Sequence, residues 1–240
     1  MEDNILLQLN NISVVYSDVI QVLKGVSLVV KKKQIVSLLG SNGAGKTTTL
    51  KSIIGLTPPR FGSITFLSEE VTHLPTHLIA QKGIAYIPEE RRVIPNLTVE
   101  ENLKLGMLKN KNKAKNPKLL EKAFGYFPRL QERLHQKGGS LSGGEQQMLT
   151  IARGLVSDPA IMLIDEPTEG LMPSMVEQIS RILGEMNRDG VTILLVEQNV
   201  EMALSISSRG YVIDQGVIQF EGSAKELREN REIQLRYLAV

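Results

Sequence analysis

Eight residues constrain this chain more than any others: Gly40-Ser41-Asn42-Gly43-Ala44-Gly45-Lys46-Thr47. They close the short apolar run QIVSLLG and open TTTLKSIIGL, where Leu50, Ile53 and Ile54 fall at helical spacing and Gly55 stands near the end. The residues fit the pattern G-x-x-x-x-G-K-[ST], and a strand before and a helix after are the context that pattern demands. Its chemistry explains the residue types. Glycines let successive backbone N–H groups turn inward around phosphate oxygens, and the helix start adds the positive end of its dipole. Lys46 reaches the β- and γ-phosphates, the Thr47 hydroxyl ligates Mg²⁺, and Gly40 through Thr48 is read as the nucleotide cradle.

A phosphate site of this kind needs a metal carboxylate. The run IMLIDEP supplies one, an apolar strand ending in Asp165, where a carboxylate meets Mg²⁺ at the C-terminal edge of a sheet. Glu166 follows directly. Two adjacent acids repel unless both serve the site, so Asp165 is read as the Mg²⁺ partner and Glu166 as the base that orients water. A plain strand-end turn before Pro167 is the bland alternative. The second apolar run, VTILLV (191–196), is separated from the first by the helical stretch MVEQISRILGEMNRDG. Strand, helix and strand with near-continuous apolar strands indicate an α/β fold whose parallel sheet is covered on both faces.

Composition excludes several classes. A net charge of +2 gives no reason to expect a nucleic-acid partner. The absence of cysteine removes disulfides and thiolate metal sites, which suits a reducing compartment. No apolar run approaches the roughly 18 to 20 residues that span a bilayer, and MEDNILLQLN lacks a signal-peptide pattern, so a soluble, cytoplasmic protein is expected.

The runs ILLQLNNISVVY, VLKGVSLVV and GSITFLSEEV read as an N-terminal β region, and residues 76–82 as a short helix before the strand GIAYIP. From residue 89 to 154 the character turns helical: Thr98-x-x-Glu101 is a capping-box pattern, and LLEKAFGYFPRLQERL breaks before Pro128. One domain over 1–240 is expected, with 1–88 and 155–240 forming a catalytic core plus β subdomain and 89–154 a helical subdomain. A hairpin around Asp214-Gln215-Gly216 and a helix started by Ser223-x-x-Glu226 close the chain. The Lys-rich stretch 109–118 is read as a solvated loop. His73, His77 and His135 match no catalytic slot.

LSGGEQQ (141–147) precedes IMLIDEP, with Met162 of that run 21 residues after Leu141, and resembles the signature of ATP-binding-cassette (ABC) proteins. With SNGAGKTT it makes three ordered motifs, and the resemblance covers essentially the whole chain. It implies a P-loop NTPase with a RecA-like parallel-sheet core, an N-terminal antiparallel β subdomain and an inserted helical subdomain. It also implies two cassettes head to tail, with each ATP between the P-loop of one and the signature of the other. Ser142, Gly143, Gly144 and Glu145 would then contact a nucleotide held by the partner. Tyr16 stands where such cassettes stack an aromatic on adenine.

Two positions depart from the usual cassette. Glu89 replaces a glutamine that contacts Mg²⁺ and links to the membrane subunit, and Gln198 replaces a γ-phosphate-sensing histidine. An amide donates to a phosphate oxygen or positions water but carries no titrating proton. In LLVEQN, Asn199 is read as the cap of the next helix and Gln198 as facing the γ-phosphate. Arg91 and Arg92 are near enough in sequence to offset the charge of Glu89.

EERRVIPNLTVEENL, LSGGEQQML and LLVEQN together resemble the LivF-like ATP-binding subunits of branched-chain and hydrophobic amino-acid importers. That resemblance implies an ATPase peripheral to the cytoplasmic face of the inner membrane. Its implied partners are a second cassette (paralogous, or a second copy in isolation), two polytopic permease subunits and an external substrate-binding protein. TEGLMP (168–173) lacks the usual aspartate of this loop and is similar to sequences of urea and amide importers. A non-transport cassette and a P-loop GTPase or kinase are the competing readings; the last leaves LSGGEQQ unexplained.

Overall fold

The computed structural model describes residues 4–17, 19–90, 93–110 and 112–238. Strands β1 (Ile5–Tyr16) and β2 (Ile20–Lys31) pair antiparallel, and β3 (Ile35–Leu39) leads into helix α1 (Lys46–Ile53). Strands β4 (Phe61–Phe66) and β5 (Glu69–Glu70) form a hairpin, followed by α2 (Thr76–Gln81) and β6 (Ile84–Ile87). Helices α3 (Val99–Gly106), α4 (Asn116–Tyr126), α5 (Pro128–Glu132) and α6 (Gly143–Leu155) come next. The chain then runs through β7 (Ile161–Asp165), α7 (Pro173–Arg188), β8 (Thr192–Glu197) and α8 (Val200–Ile206). It ends with the hairpin β9 (Arg209–Asp214) and β10 (Val217–Ser223), then α9 (Ala224–Glu229) and α10 (Arg231–Ile233).

Two sheets result. One is antiparallel, in the order β2-β1-β4-β5; the other, β10-β9-β3-β8-β7-β6, is parallel except for its edge strand β10. The apolar runs are buried at every position because the pleat sends alternate residues to opposite faces and both faces are covered. Ile35, Leu39, Met162, Ile164, Ile193 and Leu195 join a core shared with α6, α7 and α8. Val36, Leu38, Ile161, Leu163, Leu194 and Val196 join a second core with α1 and the antiparallel sheet. The parallel register puts the C-terminal ends of β3, β6, β7 and β8 at one edge, where β3 and β8 align Leu39 with Glu197 and β7 and β8 align Asp165 with Val196. This is the edge at which open α/β sheets hold ligands.

Among its described residues, segment 89–154 contains helices, turns and one isolated bridge between Thr98 and Lys137. The expected capping box forms: Thr98 N donates to Glu101 Oε2 at 2.8 Å and Glu101 N to Thr98 Oγ1 at 3.2 Å. Phe127, with φ −125 and ψ 62, leaves the helical region before Pro128 and separates α4 from α5. Val99, Leu103, Met148 and Ile151 share their core with the sheet residues Ile35 and Ile164, so the helices are packed onto the sheet rather than around a core of their own.

In the Lys-rich stretch Lys113, Lys115 and Lys118 are exposed, as a solvated segment requires, Lys111 lies outside the described residues, and the departures from a loop are helical structure and Lys109. Lys113–Lys115 forms a 3₁₀ turn that runs into α4. Lys109 donates to the Ala80 carbonyl at 3.0 Å, and burial pulls its ammonium below the ordinary lysine value. The amphipathic stem lets it lie along apolar surface while its tip finds a backbone acceptor, which composition alone did not reveal.

Candidate nucleotide site

The loop between β3 and α1 is shaped by close approach. A Cβ on Gly40 would stand 2.3 Å from the Ile213 carbonyl oxygen, and one on Gly45 would stand 2.7 Å from Leu23 Cδ2 at a φ of +110. Only glycine fits either position. α1 starts at Gly45 with no side-chain cap and no acidic residue in its first turn, so its first N–H groups are available to an anion. Lys46 is 4% exposed, and its Nζ donates to the carbonyls of Gly40 at 2.8 Å and Ser41 at 3.0 Å. The same ammonium lies 3.0 Å from Glu166 Oε1. The loop and its lysine therefore offer an uncapped helix start and a cation, the latter held on the loop's own carbonyls and on Glu166.

Across the sheet edge stands the expected metal carboxylate. Thr47 Oγ1 donates to Asp165 Oδ1 at 3.1 Å and Tyr86 OH donates to Oδ2 at 3.0 Å. Asp165 is fully buried, and that burial pushes its carboxyl above the ordinary aspartate value, against the two hydroxyls that pull it down. An oxygen-only set of one carboxylate and one hydroxyl suits Mg²⁺, which takes few protein ligands and completes its shell with water and substrate phosphates. Tyr86 was not singled out in the sequence; it reaches Asp165 because β6 and β7 are neighbours.

Glu166 leaves β7 at φ +41, a left-handed conformation that costs a non-glycine residue on the order of 1–3 kcal/mol. Its N–H donates to the Val196 carbonyl at 2.9 Å. Gln198 is exposed, and it lines an open groove of about 760 Å³ together with Glu166, Thr168 and Glu169. The structure thus brings Lys46, Glu166 and Gln198 to one edge, with Gln198 on the solvent side. Asn199 caps α8 as expected, accepting from Met202 N at 3.0 Å. The last residue of β8, Glu197, has no role assigned from the sequence and is only 2% exposed; its carboxylate accepts four hydrogen bonds.

Glu89 lies just beyond β6 with its carboxyl against that of Glu169. The hydrogen bond to Glu169, burial, and the charges of Glu169, Glu166 and Asp165 push it up to about 7. Arg91 and Arg92, the suggested offsetting cations, lie outside the described residues.

Two further expected contacts flank this edge. Tyr16 ends β1 exposed, with its hydroxyl 3.5 Å from Thr48 Oγ1 in the first turn of α1. Ser142 caps α6 with a full capping box: Ser142 N and Oγ donate to Glu145 Oε2 at 2.9 and 2.8 Å, and Glu145 N to Ser142 Oγ at 3.4 Å. The other carboxylate oxygen of Glu145 meets Arg133 Nε at 3.0 Å. Ser142 and Glu145 are therefore turned onto each other at the helix end, and the N–H groups of Gly143 and Gly144, the first two helical residues, are outside that box. A Cβ on Gly144 would sit 2.3 Å from Met175 Cε, the movable end of a methionine, so α6 and α7 pass close to each other there.

Residues 23–169 match the model of a protein family described as ABC transporter. The chain is 43% identical to the high-affinity branched-chain amino acid transport ATP-binding protein BraG of Pseudomonas aeruginosa, over 97% of this chain and 99% of that one. It is 42% identical to a probable branched-chain amino acid transport ATP-binding protein, LivF, of Archaeoglobus fulgidus, over 85% of this chain and 87% of that one. A solved ATP-binding subunit of an ABC transporter superposes with a TM-score of 0.83 at 29% identity, covering 98% of this chain and 96% of that one.

Proposed function

This chain belongs to the ABC transporter family, and from that premise we propose that it binds and hydrolyses ATP to energise an importer of branched-chain or other hydrophobic amino acids. The observation that carries the chemistry is the meeting of two strand ends: Thr47 on Asp165 at 3.1 Å and Lys46 on Glu166 at 3.0 Å. The substrate class is supported by the BraG relative, which matches from end to end.

On this reading the P-loop N–H groups and Lys46 hold the β- and γ-phosphates. Thr47 and Asp165 hold Mg²⁺, which when bound neutralises phosphate charge; whether Glu89 joins them is tested below. Glu166 orients and deprotonates the attacking water once ATP draws Lys46 away from it. Gln198 donates to the γ-phosphate, Tyr16 stacks on adenine, and Ser142, Gly143 and Gly144 close on the nucleotide of the facing cassette. Catalysis rests on positioning and electrostatics. Residues 89–154 act as the helical subdomain. The partners are a second cassette, two polytopic permease subunits and an external binding protein, with the chain peripheral on the cytoplasmic face of the membrane. No helix among the described residues is long and apolar enough to cross it.

The test is reconstitution of the complex that co-purifies with this chain. Mg²⁺-dependent phosphate release coupled to uptake of leucine, isoleucine or valine is expected; uptake of urea or amides instead would move the substrate and leave the ATPase standing. In the same complex Glu166→Gln is expected to keep ATP affinity and lower turnover by a factor on the order of 10² to 10⁴. Undiminished turnover removes the base from Glu166.

A further inference from the structure

Four donors converge on one buried carboxylate at the end of β8. Glu197 Oε1 accepts from Thr168 N at 3.2 Å and from Thr168 Oγ1 at 2.7 Å. Oε2 accepts from Gln198 N at 3.0 Å and from Asn199 N at 3.1 Å. The two oxygens thereby join loops 29 residues apart in sequence: the one that leaves β7 through Glu166, and the one that leaves β8 through Gln198.

Glu166 lies between two anchors, both supplied by β8. Its own N–H is held by the Val196 carbonyl at 2.9 Å, and two residues further on Thr168 is held by Glu197. A backbone kept in a left-handed conformation, φ +41, relaxes when either anchor is lost.

The residue type is specific to this task. All four partners are donors, three of them backbone N–H groups that cannot be reversed, and an ionised carboxylate is acceptor-only. A glutamine would turn its NH₂ toward one donor pair and leave at least one N–H unsatisfied. Burial pushes the Glu197 carboxyl above the ordinary glutamate value, and the hydrogen bonds from Thr168, Asn199 and Gln198 pull the other way, each favouring the ionised form.

We propose that Glu197 is the positioning residue that fixes Glu166 in its reactive placement and ties it to Gln198. Movement of the γ-phosphate-facing turn and movement of the base are then one event. The inference rests on Glu166 being the base, as proposed above.

The test is ATP hydrolysis and ATP binding by the reconstituted complex carrying Glu197→Gln, Thr168→Val, Glu166→Gln, and the Glu166→Gln/Glu197→Gln pair, with the slow variants followed in single turnover. Misplacing a catalytic group by about 1 Å costs on the order of 10²-fold, so Glu197→Gln is expected to lower kcat by about that factor with ATP affinity within about twofold. Thr168→Val keeps the backbone N–H and loses one donor, so a loss of about tenfold is expected; it carries the test if Glu197→Gln fails to assemble. In the Glu166→Gln background, loss of Glu197 should lower turnover no further, because its effect passes through the missing base. Full turnover in both Glu197→Gln and Thr168→Val, with Glu166→Gln slow, overturns the positioning role and leaves the ATPase reading intact. An equal loss with and without Glu166 overturns it as well, because Glu197 then acts independently. Loss of ATP affinity in step with kcat marks a merely structural residue. Full turnover in Glu166→Gln removes the base itself, and the inference with it.

Discussion

Two glycine-rich loops in this molecule each end in a helix N-terminus, and they are finished in opposite ways. α1 begins with no side-chain cap and no acid in its first turn, and a cation, Lys46, is the first helical residue. α6 begins with a complete capping box, and the acid that completes it is itself paired with Arg133. Orphan N–H groups at a helix start are satisfied either by a side chain or by a ligand. The first helix end is left for the ligand. The second is largely self-satisfied, with a carboxylate in the place a phosphate charge would favour least. On the proposed reading the P-loop captures ATP by itself, and the α6 end engages only a phosphate already presented to it.

The largest expected effect breaks the P-loop side of that contrast. Lys46→Ala removes the cation and leaves Glu166 without its ion-pair partner. ATP affinity should fall by a factor on the order of 10 to 10², the worth of a charge-assisted hydrogen bond, and turnover by about 10³, as for the loss of a transition-state donor. Both are read from equilibrium nucleotide binding and phosphate release. Parental affinity in this variant would mean that backbone N–H groups alone account for capture.

A smaller effect is expected on the α6 side. Ser142→Ala removes the cap acceptor, worth about 1 kcal/mol of helix stability, and frees Glu145 toward the loop. The isolated chain should bind ATP as tightly as the parent, while turnover by the assembled pair of cassettes falls by about tenfold, one hydrogen bond to a charged group. If the isolated chain loses ATP affinity as Lys46→Ala does, the division between a capturing and an engaging helix end is wrong.

The same contrast shows what could be read without coordinates. The P-loop, the strand-end acids and the capping boxes at Thr98, Ser142 and Ser223 are local: donors and acceptors lie within a few residues, so spacing alone reports them. Both apolar runs became strands buried on both faces for the same reason. What stayed hidden depends on which strands lie side by side. Tyr86 serves Asp165 from 79 residues away, and Glu197 holds Thr168 across 29. In LLVEQN three polar residues follow a strand; spacing identified Asn199 as a cap, but only the pairing of β7 with β8 reveals the work of Glu197. Glu145 was grouped with the phosphate contacts on resemblance, and its carboxylate is committed to Ser142 and Arg133.

The smallest expected effect concerns Glu89, at the same sheet edge. The hydrogen bond to Glu169, burial and the charges of Glu169, Glu166 and Asp165 hold the Glu89 carboxyl up at about 7. The sign follows from the raised value: the fold favours the protonated form, so the stability it contributes is fully present below the ordinary carboxylate value and is lost as pH rises through about 7. A metal takes only the deprotonated carboxylate. If Glu89 meets Mg²⁺, the half-saturating Mg²⁺ for ATP hydrolysis should fall between pH 6 and pH 8 by up to about tenfold, the step one pKa unit allows. Glu89→Gln should abolish that excess over the trend set by the nucleotide, whose terminal phosphate also titrates near pH 6 and is common to both proteins. The same change in half-saturating Mg²⁺ between pH 6 and pH 8 in Glu89→Gln as in the parent would confine Glu89 to its partnership with Glu169. The metal would then rest on Thr47 and Asp165, and the acid that stands where other cassettes carry glutamine would act through the loop of Glu169 instead.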